Sequence, residues 1–295
     1  RLHTDVLNKA YCFIKKLSNI TKTYVLVGNH DYTSNNQFLT TNHWMNGIKN
    51  WENLVIVDKV ICEKILDKTF TFVPYVYPGK FKLALDTLKD DCWKNSDCIF
   101  AHQEFEGCKM GSIVSEIGDK WSNDLPPVVS GHIHSKQTLD NNVFYPGTPM
   151  QHAFGESENN IIAILDFQQN LEKYNLTEVS LGLPKKKIVY IDVEDIDQYE
   201  HIDKQDKLKL TITGNQDKFK AFKKTKKYKE IISKGVKIVF KPVKANLNEY
   251  EELKTVNFKE ILHKLILKQK NSELYRYYES IIHDRDIKEN DIFFL

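Results

Sequence analysis

The chain is 295 residues long, 41% hydrophobic and 28% charged, with a formal net charge of +2. That length accommodates one large domain plus a smaller one. No apolar run approaches the roughly 20 residues of a membrane span, so the sequence indicates no membrane role and an intracellular location. Five cysteines (Cys12, Cys62, Cys92, Cys98, Cys108) form no C-x-x-C pair, which fits neither a disulfide framework nor a zinc ribbon and points to a reducing compartment.

The first 20 residues read as an amphipathic helix, with Leu2, Val6, Leu7, Ala10, Phe13, Ile14 and Leu17 at helical spacing. It leads into the strand Tyr24 to Val27, which runs straight into Gly28-Asn29-His30-Asp31. NLVIVDKVI (53–61) and TFTFVPYVY (69–77) read as neighbouring strands separated by the charged ICEKILDK. LALDTLKDDCW (83–93) reads as a helix. DCIFAHQEF (97–105), PPVVSGHIH (126–134), NNVFYPGTP (141–149) and NIIAILDF (160–167) read as further strands.

Composition shifts near LGLPKKK (181–187). Beyond it, KIVYIDVED and KLKLTITG (207–214) read as strands, residues 217–235 as one helix ending in a glycine cap, and VKIVFKPVK (236–244) as a third strand. Residues 256–283 read as helical, carrying Tyr275, Tyr277 and Tyr278, which serve either core packing or a partner groove. The expected organisation is therefore α/β: a domain over 1–183, a basic α/β unit over 184–245 and a helical region over 246–295.

Three strands end in chemistry-bearing residues: TYVLV in GNHD, DCIFA in His102, and PPVVS in Gly131-His132-Ile133-His134. If the three lie in one sheet with one polarity, their ends converge on one rim, where open α/β sheets place ligands. His132 and His134 would share a face on a continuing strand, while a turn after Gly131 would aim them apart. Imidazole nitrogens with an amide oxygen suit borderline divalent ions such as manganese, iron or zinc. Each motif alone is commonly a turn or a surface histidine; their joint occurrence at strand ends is what points to a site.

GNHD, a lone histidine after a strand, and GHxH together resemble the calcineurin-like metallophosphoesterase superfamily. AHQEFEG (101–107), SGHIH (130–134) and FYPGTPMQHAFGE (144–156) resemble more closely its SbcD-type DNA repair nucleases, including their phage and large-virus relatives. The resemblance implies a four-layer β-sandwich flanked by helices, a small α/β capping domain and a C-terminal helical tail. It implies two divalent metal ions, most readily manganese, with Asn29, His102 and His132 as ligands of one and His134 of the other. It also implies His30 facing the scissile phosphate and Asp31 orienting that histidine. The implied partners are DNA, an SbcC-type coiled-coil ABC ATPase and a second copy of the chain. Gln103, His152 and Glu156 either line a DNA path or hydrogen-bond loops, while His43, Trp44 and Trp51 match no motif.

The family's Asp-x-His and Gly-Asp motifs do not precede GNHD here, so the chain is expected to be N-terminally incomplete and without nuclease activity of its own. From His201 to Ala245, 14 lysines face 4 acidic residues, a balance of +10 in a chain whose total is +2. A solvated helix is the simplest reading of such a run, but one-signed charge at this density also suits phosphate contacts through Lys218, Lys220, Lys223, Lys224, Lys226 and Lys227. The leading expectation is a DNA repair nuclease subunit. A phosphoesterase for small substrates and a non-catalytic scaffold are the alternatives.

Overall fold

Alternation of apolar residues along short strands decides which way each layer faces. The computed structural model describes residues 3–34, 36–168, 173–200, 206–243 and 258–282. Helix α1 (Thr4–Ile20) leads into β1 (Thr23–Leu26), which pairs in parallel with β2 (Leu54–Val57). Then come β3 (Ile61–Ile65), β4 (Lys68–Val73), α2 (Phe81–Leu85), β5 (Cys98–Ala101), β6 (Lys109–Met110) and β7 (Ile113–Val114). They are followed by β8 (Val128–Ser130), β9 (Gln137–Leu139), β10 (Val143–Tyr145), β11 (Ile162–Asp166) and β12 (Asn175–Val179). One mixed sheet has the order β3-β4-β5-β8-β10-β9, while β6 with β7 and β11 with β12 form two-stranded ribbons.

Along the six-stranded sheet, Val73, Ile99, Ala101, Val128, Val143 and Tyr145 point into a core with Phe81, Leu85, Trp93 and Trp121. The alternate residues Phe70, Phe72, Cys98, Val129 and Phe144 point into a second core, where Tyr24, Leu26, Val55 and Val57 meet Ala163 and Leu165. The other sides of β1 and β2, Val25, Val27, Leu54 and Ile56, pack on Ile14, Met45 and Ile48. The period of two thus sends each strand's residues into two cores, and burial of each large side chain contributes about 1.5–3 kcal/mol.

Two sequence expectations change here. Residues 61–65, read as a charged separator, form β3, which is hairpinned antiparallel to β4 through Leu66 at φ +57°. β2 and β4 consequently belong to different sheets. β3 is an edge strand, where charge is tolerated, and its Glu63 accepts from Tyr24 Oη at 2.7 Å and pairs with Lys22. The helix expected over 83–93 shortens to α2 and a separate 3₁₀ turn, Cys92–Asn95, entered through Asp91 at φ +46°.

The basic unit comprises β13 (Lys186–Asp192), β14 (Lys207–Gly214), α3 (Gln216–Phe222), α4 (Lys226–Ser233) and β15 (Lys237–Pro242), with all three strands parallel in the order β13-β14-β15. The single helix expected over 217–235 is two. Asn215 caps α3 by accepting from the amides of Asp217 and Lys218, and Thr225 caps α4 by accepting from Tyr228 N at 3.2 Å. Phe219, Phe222 and Ile231 of these helices pack on Leu208, Leu210 and Ile212 of the sheet.

Residues 1–243 form one unit and 244–295 another. In the second, the helical stretch expected over 256–283 comprises α5 (Phe258–Lys268) and α6 (Ser272–Ile282), separated at Lys270 with φ +52°; residues 256, 257 and 283 lie outside the described set. Asn271 Oδ1 caps α6 through the amides of Glu273 and Leu274, both at 3.0 Å. Tyr275 and Tyr278 pack against His263, with ring centroids 5.8 and 5.5 Å away. No helix among the described residues is long and apolar enough to cross a membrane, and all five cysteines are free thiols.

Candidate active site

β5 and β8 lie side by side in parallel, Ala101 opposite Ser130, so His102 and the Gly131-His132 step leave the sheet at one edge. β1 is not in that sheet, contrary to expectation, and reaches the same edge by another route. Tyr75 N, just past β4, donates to Val27 O at 2.8 Å, drawing the end of β1 toward the rim. The turn Gly28–Asp31 then brings Asn29 Oδ1 to 3.1 Å from His102 Nε2.

β8 stops at Ser130, and His132 takes φ +78°, so the chain turns after Gly131 and does not continue as a strand. The rings of His102 and His132 stand 5.4 Å apart, edge to face, with Tyr75 beside both. Space against the His102 ring is tight at both glycines. A Cβ on Gly28 would lie 3.1 Å from His102 Nε2, and one on Gly131 would collide with the same ring.

Asn29, His30, His102, His132 and His134 all line one cavity of about 1070 Å³. His152, Phe154 and Glu156 form another part of its wall, and the β6–β7 hairpin contributes Lys109 and Met110. His134 Nδ1 lies 3.0 Å from Glu156 Oε1, and its ring stacks on His152 at 4.6 Å. Glu156 Oε2 in turn accepts from the backbone amides of His152 and Ala153. Burial works against ionised Glu156, yet the His134 contact and these amides hold its carboxyl below the usual range.

Among the described residues Asp31 makes no hydrogen bond to the His30 ring. Its Oδ2 accepts from Gly28 N at 2.8 Å and its Oδ1 from Trp44 Nε1 at 2.7 Å, so it fixes the turn that presents Asn29 and His30. Burial pushes His102 down to about 3, with His132, His30 and His134 adding to the effect. His132 is lowered in the same way, against the pull of Glu104, whose Oε2 lies 3.9 Å from His132 Nε2. Both rings are therefore neutral near pH 7, with a lone pair available to a cation.

The donor set can be tested against the two ions that the resemblance implies. One amide oxygen and neutral imidazoles fit part of the shell of one borderline divalent ion. Among the described residues, however, no group of three His, Cys, Asp or Glu side chains is gathered closely enough to hold an ion, so these donors alone do not fit two.

The site rests on a buried polar layer. Gln103, fully buried, donates to Asp119 Oδ2 at 2.6 Å and accepts from Val76 N, while Ser130 and Tyr145 hydroxyls bind its backbone. Gln103 thus ties loops together and lines no path, whereas His152 and Glu156 do line the cavity.

None of the six expected DNA-binding lysines lines the cavity. Lys218 pairs with Glu194 at 2.6 Å, Lys220 with Asp217 at 3.0 Å, and Lys227 with the Asp197 carbonyl; Lys223 sits over the Phe219 ring. Lys224 and Lys226 have no ion-pair partner among the described residues.

No protein-family model matches the chain. Over 230 residues, 77% of this chain and 81% of the relative, it is 48% identical to "Putative phosphoesterase 244L" of Invertebrate iridescent virus 6. Over 246 residues, 82% of this chain and 70% of the relative, it is 46% identical to "Putative phosphoesterase 078R" of Invertebrate iridescent virus 3. The chain belongs to this family of viral phosphoesterases.

Two residues of this phosphoesterase escape sequence reasoning. Trp44 matches no motif, yet it anchors Asp31. Gln151, only 3% exposed, accepts from Lys186 N at 2.7 Å and donates to Glu156 O at 2.9 Å, joining the cavity wall to the first strand of the basic unit. Both act through contacts between segments distant in sequence, which no local pattern announces.

Proposed function

We propose that this phosphoesterase hydrolyses DNA phosphodiester bonds, as the nuclease subunit of an SbcD-type repair or recombination complex dependent on divalent ions, most readily manganese. The observation that carries this is one cavity that gathers Asn29, His30, His102, His132 and His134 from three chain segments, with a basic α/β unit joined to its wall through Gln151. On this reading the layered packing of residues 1–183 is the metallophosphoesterase sandwich, 184–245 its capping domain, and 246–295 the region offered to an SbcC-type ATPase. A second copy of the chain is the proposed dimer partner.

Asn29, His102 and His132 would contribute ligands to one ion, with His134 placed toward a second whose shell these residues alone do not complete. A bound divalent ion supplies Lewis acidity toward the phosphate and lowers the pKa of water. The remaining work belongs to the chain. Glu156 accepts from His134 Nδ1–H, which fixes the tautomer and leaves Nε2 as the lone-pair nitrogen. His30, exposed on the cavity wall, donates a proton to the leaving oxygen. Lys109 offers positive charge to the phosphate backbone.

The test is cleavage of single- and double-stranded DNA by the protein expressed from its full reading frame, with manganese and with chelator. Chelator and His132→Ala should each abolish cleavage, and His30→Ala should slow it by about 10²–10⁴. Hydrolysis of a small phosphoester with DNA left intact would sink the nuclease reading and leave the phosphoesterase.

A further inference from the structure

The basic unit has two faces, and its helices cover one. By strand register, Val189 and Ile191, Leu208, Leu210 and Ile212, and Ile238 and Phe240 face α3 and α4. The alternate residues make the other face: Lys186, Ile188, Tyr190 and Asp192 on β13, Lys207, Lys209, Thr211 and Thr213 on β14, and Lys237, Val239 and Lys241 on β15. Tyr190, midway along the edge strand β13, is 66% exposed, although a large aromatic ring ordinarily finds cover. Thr211, opposite it on β14, is only 2% exposed, so the accessible surface here belongs to Tyr190 and the lysines around it.

Five lysines share this face with one carboxylate, Asp192, which lies at the far end and is engaged with Glu194 N and Thr213 Oγ1. Lys207, Lys209, Lys237 and Lys241 have no ion-pair partner among the described residues, whereas Lys218 and Lys220 on α3 do. On each strand the paired lysines are two or four residues apart, about 7 and 13 Å.

The face also begins at the cavity. Lys186 Nζ donates to His152 O, and Ile188 Cδ1 lies 3.9 Å from where a Cβ on Gly155 would stand. His152 and Gly155 both line the cavity. Tyr190 therefore sits four residues out along β13, on the order of 13 Å beyond that rim.

We propose that this open sheet face is a binding platform for single-stranded DNA leading into the cavity, with a base stacked on Tyr190 and phosphates held by Lys209, Lys237 and Lys241. It rests on the reading of DNA as substrate and specifies which form of DNA is led in and over which surface. Aromatic rings set among lysines suit a single strand because unpaired bases expose their faces for stacking, while a duplex hides them. A protein partner would need more apolar area than Ile188, Val239 and one tyrosine provide.

The experiment is fluorescence anisotropy of the protein from its full reading frame with a labelled oligothymidylate of roughly 15 nucleotides, and with a duplex of equal length, across a salt series. The native protein should prefer the single strand. Tyr190→Ala should weaken that binding about tenfold or more, and Tyr190→Phe should restore it. Lys209→Glu with Lys237→Glu should weaken it and flatten the salt dependence, by about 0.7 in log–log slope for each phosphate no longer neutralised. Unchanged binding in both the tyrosine and the lysine variants would overturn the platform, as would preference for duplex or capture of a protein in place of DNA. Binding that depends on Tyr190 in a protein that cuts no DNA would keep the platform and sink the nuclease reading; cleavage that ignores Tyr190 and both lysines would do the reverse.

Discussion

Gly131 lies so close to His102 that a Cβ added to it would stand 2.8 Å from the ring's Nδ1. The ring is hemmed in on that side by the backbone of β8's exit and on the other by Gly28 and Asn29. Gly131→Ala should therefore push His102 away from Asn29 Oδ1. Displacement of about 1 Å in such a site costs on the order of 10²-fold in rate. Manganese titration by calorimetry should show weakened binding, and a variant that binds and cuts normally would show that the ring has room to spare.

Asp58 holds a buried charge cluster behind the GNHD turn. Its Oδ2 lies 3.1 Å from Nε2 of the buried His43 and pairs with Lys49. Burial opposes ionised Asp58, but Lys49 and His43 outweigh it and its carboxyl titrates below the usual 3.8. A depressed folded pKa contributes stability that is complete above the unfolded value and is lost as pH falls through the folded one. Asp58→Asn should thus cost about 1–3 kcal/mol near pH 7, with the gap to the native protein narrowing only below about pH 4. Thermal melts from pH 7 down to 3 check this; a gap that widens on acidification contradicts it.

Gln151→Ala should loosen the joint between cavity wall and basic unit. Its side-chain amide serves Lys186 N, Lys186 O and Glu156 O from a buried position. Leaving those backbone groups unpaired costs about 1–3 kcal/mol. Hydrogen exchange should report faster exchange at Lys186 N, with protection of β5 and β8 unchanged.

Among the lysines of residues 218–227, reversing Lys224 and Lys226 to Glu should affect DNA binding more than reversing Lys218, Lys220 and Lys227. The latter three already have partners within the chain. The salt slope of duplex binding should fall by about 0.9 for each phosphate left without its lysine, with Lys224 and Lys226 first. Equal effects from both sets would mean that the intramolecular pairs dissolve on binding.

Much of this molecule is legible in its sequence because chemistry and periodicity coincide. Short β-branched runs located β1, β5, β8, β10 and β11, and the residues just past three of them turned out to share a cavity. What failed was local in origin. Thr225 hides as one polar residue in a lysine run, yet its hydroxyl caps a new helix; Lys270 breaks another without a glycine to mark it. ICEKI looked too charged for a strand because edge position is a property of the sheet and not of the segment. Trp44 and Gln151 owe their roles to partners 13 and 35 residues distant, Asp31 and Lys186.

His132 carries a left-handed backbone that glycine would adopt freely, at an expense to an L-residue of about 1–2 kcal/mol. Placing glycine there would relax the turn while deleting the imidazole. Folding and the proposed chemistry therefore pull this position in opposite directions, and a screen that selects only for heat resistance should favour loss of the imidazole.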